Sequence, residues 1–141
     1  YVPIGCGSGI CGIIAAKEAL GRGTEVVGVV AEGANYAAKS FAAGKLVGTD
    51  RADTFADGMA VREGIPEAFA VYGQKAARIV EVSDDVAEGA GAAPLAALMA
   101  ERGAMAGKSV GVILCGQNVD TAVFQAVLAG KTPATARMEP A

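Results

Sequence analysis

A glycine-rich run, Gly5-Cys6-Gly7-Ser8-Gly9, separates a short apolar stretch, Tyr1-Val2-Pro3-Ile4, from a helical pattern that begins at Ile10. A loop of this kind between a strand and a helix is the joint of α/β proteins. With almost no side chains in the way, several backbone N–H groups can converge on an anion, and the positive end of the following helix favours its charge. The run therefore points to a bound phosphate.

The rest of the chain continues the alternation. Residues 1–4 read as a strand, 10–21 as a helix, and 25–31 (Glu-Val-Val-Gly-Val-Val-Ala) as a strand whose near-continuous apolar run suits burial on both faces. Residues 35–43 read as a helix closed by Gly44, and 46–64 as a loop-rich crossing that mixes Gly, Asp and Thr. Pro66 opens a helix to residue 75 with Glu67 in its first turn. Strands over 78–82 and 109–114 and helices over 92–102 and 120–129 complete the order βαβαβαβα. That order predicts an open parallel sheet with helices on both faces, a three-layer αβα arrangement joined by right-handed crossovers. Residues 1–130 form the α/β domain and 131–141, with Pro133 and Pro140, a loose tail.

Composition narrows the function. The 141 residues are 52% hydrophobic and 19% charged, enough for one domain with a real core. A net charge of −3 without a basic block argues against nucleic acid, and no apolar stretch is long and charge-free enough to span a bilayer. Cys6, Cys11 and Cys115 form neither an even disulfide set nor a zinc spacing, which suits a reducing cytoplasm. There is no histidine, so any proton transfer must use another group. Opening on a buried type of strand with no preceding segment, the chain is expected to lack an N-terminal part.

The glycine run alone leaves two ligands open. In another register Gly7-x-Gly9-x-x-Gly12 fits the dinucleotide fingerprint, with Glu32 at the end of the next apolar run as the ribose-binding acid of an NAD-binding module. The bland alternative is that these glycines only let the helix pack closely on the sheet. A second unusual turn, Cys115-Gly116-Gln117-Asn118, follows the last strand and brings Cys115 to the same sheet edge as the phosphate loop. A lone cysteine in such a place is more often an inert packing residue.

Five landmarks in order, however, resemble the threonine and serine dehydratases, pyridoxal-phosphate enzymes of fold type II. They are Val2 to Gly12, Val27 to Ala34, Ala52 to Arg62, Ala87 to Ala92 and Leu114 to Asp120. The resemblance covers nearly the whole chain but only the C-terminal half of a family member. It implies that Gly5, Cys6, Gly7, Ser8 and Gly9 hold the phosphate of pyridoxal 5′-phosphate, with Cys6 and Ser8 replacing glycines of a tetraglycine loop. It also implies that Cys115 meets the pyridine nitrogen of the cofactor. The implied enzyme is a lyase, a homo-oligomer when complete, that deaminates L-threonine or L-serine by β-elimination to a 2-oxo acid and ammonia.

Three departures qualify the resemblance. The family's Schiff-base lysine belongs to a motif of the N-terminal half, and Lys17, Lys39, Lys45, Lys75, Lys108 and Lys131 all stand outside such a context. No catalytic residue is thus assigned, and the isolated chain is expected to be inactive. Ser83-Asp84-Asp85 runs straight into Val86-Ala87-Glu88, where the family has an intervening helix. Glu32 matches a metal ligand of related serine racemases, yet residues 36–38 offer no partner carboxylate, so no metal is expected and Glu32 reads as a strand-end residue. Asp57 and Glu88 are assigned to loop ordering.

Overall fold

The computed structural model describes residues 1–83, 91–115 and 120–131. Three parallel strands, β1 (Val2–Pro3), β2 (Val27–Ala31) and β3 (Arg78–Val82), lie in the order β1-β2-β3. Val2 pairs with Gly28, and Val27 with Arg78 through Ala31 with Val82. The five residues of β2 are all buried, as the unbroken apolar run requires of a strand covered on both faces.

Helix α1 (Ser8–Ala19) joins β1 to β2 and packs on β1. Between β2 and β3 run α2 (Tyr36–Ala43), a 3-10 turn over Asp57–Met59 and α3 (Pro66–Lys75), which lies against α1. Gly44 closes α2 in the left-handed region, and Pro66 opens α3, both as the sequence predicts. Two successive crossovers in one direction, both right-handed, put α1 and α3 on the same face. After β3, α4 (Ala93–Ala100) packs across β1, β2 and β3, and the chain returns toward β1. That reversal places α4 on the opposite face, completing three layers. Ile4, Ile10, Ile14, Val29, Val30, Tyr36 and Tyr72 are at most 1% exposed and form the centre of the core.

Three expectations need correction. The helix expected over 10–21 starts at Ser8, inside the glycine run. The helix expected over 92–102 stops at Ala100, and a short α5 (Arg102–Met105) follows Glu101. The strand expected over 109–114 is not a regular strand, although it lies where a fourth strand belongs. The Tyr1 nitrogen donates to the Gly111 carbonyl at 2.9 Å, and the Ile113 N–H donates to the Tyr1 carbonyl at 3.0 Å. This is the bonding of a parallel pair centred on Tyr1 and Val112. The next residue of the chain that faces this segment, Pro3, has no N–H to donate, so the ladder stops there. The last helix, α6, spans Thr121–Leu128. The expected gap at 84–88, the Glu88 assignment, residues 116–119 of the cysteine turn and residues 132–141 of the tail lie outside the described residues.

Candidate functional site

The glycine loop leaves β1 at Ile4, whose N–H donates to Val29 at 2.8 Å, and becomes α1 within three residues. Gly7 makes the turn, with φ at 97°, a conformation that costs a residue with a Cβ about 1–2 kcal/mol. Its carbonyl accepts the first helical bond, from Cys11 at 3.1 Å. The N–H groups of Ser8, Gly9 and Ile10 therefore have no carbonyl one turn back, and no side chain caps them. Cys6, Ser8 and Gly9 are exposed above this helix end, and a Cβ on Gly9 would meet nothing within 4 Å. Donors, helix dipole and open space coincide at one spot.

Beneath the loop lies a floor of side chains. The Tyr36 hydroxyl donates to the Gly5 carbonyl at 2.6 Å, and both Tyr36 and Tyr72 are buried. A Cβ on Gly7 would come within 2.9 Å of the Ala68 Cβ and 3.2 Å of the Tyr72 ring. A Cβ on Gly5 would sit 2.2 Å from the Gly58 carbonyl oxygen, so this position too is open to glycine alone. Thus Gly58 of the Ala56-Asp57-Gly58 segment orders the loop through its backbone, whereas the expected Asp57 is exposed. The Tyr36 and Tyr72 hydroxyls are near enough to shift one another, and burial pushes both phenols up. Of the two hydroxyls only that of Tyr36 makes a hydrogen bond of good geometry; among the described residues the Tyr72 hydroxyl is buried without one. Burial also raises the Cys11 thiol, whose Sγ lies 3.4 Å from the Ala68 carbonyl.

Tyr1 is level with Val112, and Cys115, which is exposed, comes three residues after Val112 as Ile4 comes three after Tyr1. The chain steps from β1 to β2 to β3 in one direction and then returns to the far side of β1. The order of the sheet therefore reverses between β1 and the 111–113 segment. The glycine run and Cys115 follow the two segments on either side of that reversal, and ligands of open α/β sheets bind beside such a point. A separate cleft of about 440 Å³ lies at the other end of the strands, lined by residues such as Glu25, Arg78 and Lys108. Neither the glycine run nor Cys115 lines it, and its Arg78 is already engaged by Glu101.

The model of the family described as "Pyridoxal-phosphate dependent enzyme" matches residues 1–87. The chain belongs to this family. It is 32% identical to a phenylserine dehydratase of Ralstonia pickettii, covering 87% of this chain and 43% of the relative. It is 28% identical to an L-threo-3-hydroxyaspartate ammonia-lyase of Saccharomyces cerevisiae, covering 93% and 45%. Among solved structures, a threonine deaminase of T.th. superposes with a TM-score of 0.77 at 30% identity, over 84% of this chain and 49% of that one. The chain thus spans less than half the length of these relatives.

Within a pyridoxal-phosphate family the dinucleotide reading loses its support. Its third glycine, Gly12, should pack the helix tightly, yet a Cβ there would meet nothing within 4 Å. Glu32 opens an exposed turn after β2, and among the described residues no three His, Cys, Asp or Glu side chains gather to hold a metal ion. The glycine loop, by contrast, offers the uncapped donors that a phosphate ester requires. Five of the six lysines are exposed, Lys75 pairing with Glu18 at 2.8 Å, and only Lys17 is half-buried. Sequence reasoning missed Tyr36, Tyr72 and Gly58. The signal for Tyr36 was its place among residues 36–38, where a partner for Glu32 was sought and a large aromatic stands instead.

Proposed function

We propose that Gly5, Cys6, Gly7, Ser8 and Gly9 hold the phosphate of pyridoxal 5′-phosphate, that Cys115 meets its ring nitrogen, and that the protein containing them is a lyase deaminating L-threonine or L-serine. The observation that carries this reading is the uncapped start of α1 in the glycine run, beside the point where the strand order reverses and the segment leading to Cys115 pairs with Tyr1. When bound, the cofactor supplies an electron sink for bonds at the amino acid's α-carbon. The backbone N–H groups at the start of α1 anchor the phosphate and so fix the ring's position. Cys115 offers the ring nitrogen a neutral thiol. An aspartate there would hold a proton on that nitrogen, whereas the thiol leaves it largely unprotonated, which favours loss of the substrate's β-hydroxyl. In the net reaction one water leaves the hydroxy amino acid and one water re-enters, giving a 2-oxo acid and ammonia.

The relatives' printed activities, a phenylserine dehydratase, a hydroxyaspartate ammonia-lyase and a threonine deaminase, share a β-hydroxy amino acid substrate and support this reading. The free Cys6, Cys11 and Cys115 support a reducing cytoplasm as its location, and a homo-oligomer as its assembly is proposed on the family likeness. Residues 1–130 act as the cofactor-binding domain in this reading.

Gly9→Asp tests the phosphate site. The new side chain enters open space in the first turn of α1, where an acid suits the helix dipole, so the fold is preserved. Its charge repels the phosphate, and affinity for pyridoxal 5′-phosphate in the full-length protein falls roughly a hundredfold. Unchanged affinity in a folded Gly9→Asp protein would overturn the site.

A further inference from the structure

We infer that Tyr36 is a positioning residue that sets the phosphate affinity of the glycine loop from below, an inference that rests on the phosphate-binding reading just given. Its hydroxyl donates to the Gly5 carbonyl at 2.6 Å, and the ring is 1% exposed, so a donor held in the core reaches up to a part-buried bond at the loop. In a trans peptide the carbonyl and the next N–H point in opposite directions. There is no cis peptide among the described residues. Holding the Gly5 carbonyl down toward Tyr36 therefore turns the Cys6 N–H up, toward the exposed side of the loop.

This bond adds a donor that the helix end alone does not provide. The start of α1 orients the N–H groups of Ser8, Gly9 and Ile10, but the Gly5–Cys6 peptide precedes the helix. A side chain at Gly5 would strike the Gly58 carbonyl, so only glycine fits at this peptide. The Tyr36 hydrogen bond fixes the direction of its carbonyl. Burial raises the phenol well above its ordinary range, so the donor keeps its proton throughout the working pH. Tyr72 makes the matching control. Its hydroxyl lies beside that of Tyr36 but reaches no backbone carbonyl among the described residues, and its ring alone supports Gly7.

The experiment compares wild type, Tyr36→Phe and Tyr72→Phe in the full-length protein, with inorganic phosphate, pyridoxal 5′-phosphate and pyridoxal as probes. Tyr36→Phe keeps the ring and deletes the donor. It should weaken phosphate and pyridoxal 5′-phosphate binding by about tenfold, the usual scale for one buried hydrogen bond, and leave pyridoxal unchanged. Tyr72→Phe should bind all three as wild type does. Wild-type phosphate affinity in Tyr36→Phe, or an equal loss for pyridoxal, overturns the inference. A mutation-free readout stands beside these: in wild type, phosphate should shift the Cys6 amide resonance, and a Cys6 amide that ignores bound phosphate also overturns it. If wild type binds neither phosphate nor pyridoxal 5′-phosphate, the phosphate-loop reading itself falls, which is a different failure from a silent Tyr36→Phe.

Discussion

Gly7 carries two demands that a sequence reader can only half see. That a glycine is needed for the turn follows from the run itself. Where its missing side chain would have pointed does not, because that depends on Ala68 and Tyr72 of α3. A side chain at Gly7 would strike the floor of the loop rather than a ligand above it. Gly7→Val should therefore cost roughly 2–4 kcal/mol of stability from the positive φ and the overpacking together. Denaturant midpoints measure this directly. A Gly7→Val protein as stable as wild type would show that the loop can re-form around the side chain. The aromatic floor was illegible for the same reason: Tyr36 and Tyr72 become neighbours only when α2 packs on β3 and α3 settles against α1.

Elements were mostly legible, and the misplaced ends have physical causes. Helix α1 starts at Ser8 rather than Ile10 because Gly7 in the left-handed region already turns the chain into helical geometry. The pattern over residues 92–102 reads as one helix, but the chain pauses at Glu101, whose carboxylate leaves the helix line to join the Arg78 guanidinium and the Tyr1 hydroxyl. The Arg78 Nε donates to Glu101 at 3.1 Å, and the guanidinium also lies 5.8 Å from the centre of the Tyr1 ring. This cluster ties the end of α4 to β3 and to the start of the sheet. The Arg78 hydrogen bond holds the Glu101 carboxyl below the usual carboxylate range. A depressed carboxyl stabilises the fold above its unfolded value of about 4.3 and ceases to do so as pH falls through its folded value. Glu101→Gln should thus lose about 1 kcal/mol at pH 7, in keeping with a half-exposed pair, with the gap to wild type closing below about pH 4. Stability curves from pH 3 to 7 for the two proteins check it, and a gap that stays constant across that range would refute the pairing.

At the scale of the whole molecule, the alternating pattern announced a parallel α/β sheet, and the structure bears that out. The lateral order of strands was not announced. It is decided by β1 pairing with β2 on one side and the 111–113 segment on the other, and these pairings are invisible to local periodicity. Yet that order is what puts the segment leading to Cys115 beside the start of the sheet. In the proposed site, Cys115→Ser keeps a small neutral group and should preserve activity within a few-fold. Cys115→Asp should protonate the ring nitrogen, shift the visible absorption of the bound cofactor, and slow ammonia release at least tenfold on the scale of one misplaced charge. A Cys115→Asp enzyme as fast as wild type returns the residue to a packing role. The bond from the Tyr1 nitrogen to Gly111 bridges 110 residues. Closing a loop of that length costs on the order of 4 kcal/mol in chain entropy, so the crevice is among the last features to exist as the polypeptide folds. A ligand that touches both walls repays part of that cost by mass action, and the cofactor would then act on this domain as a folding clamp before it acts as a reagent.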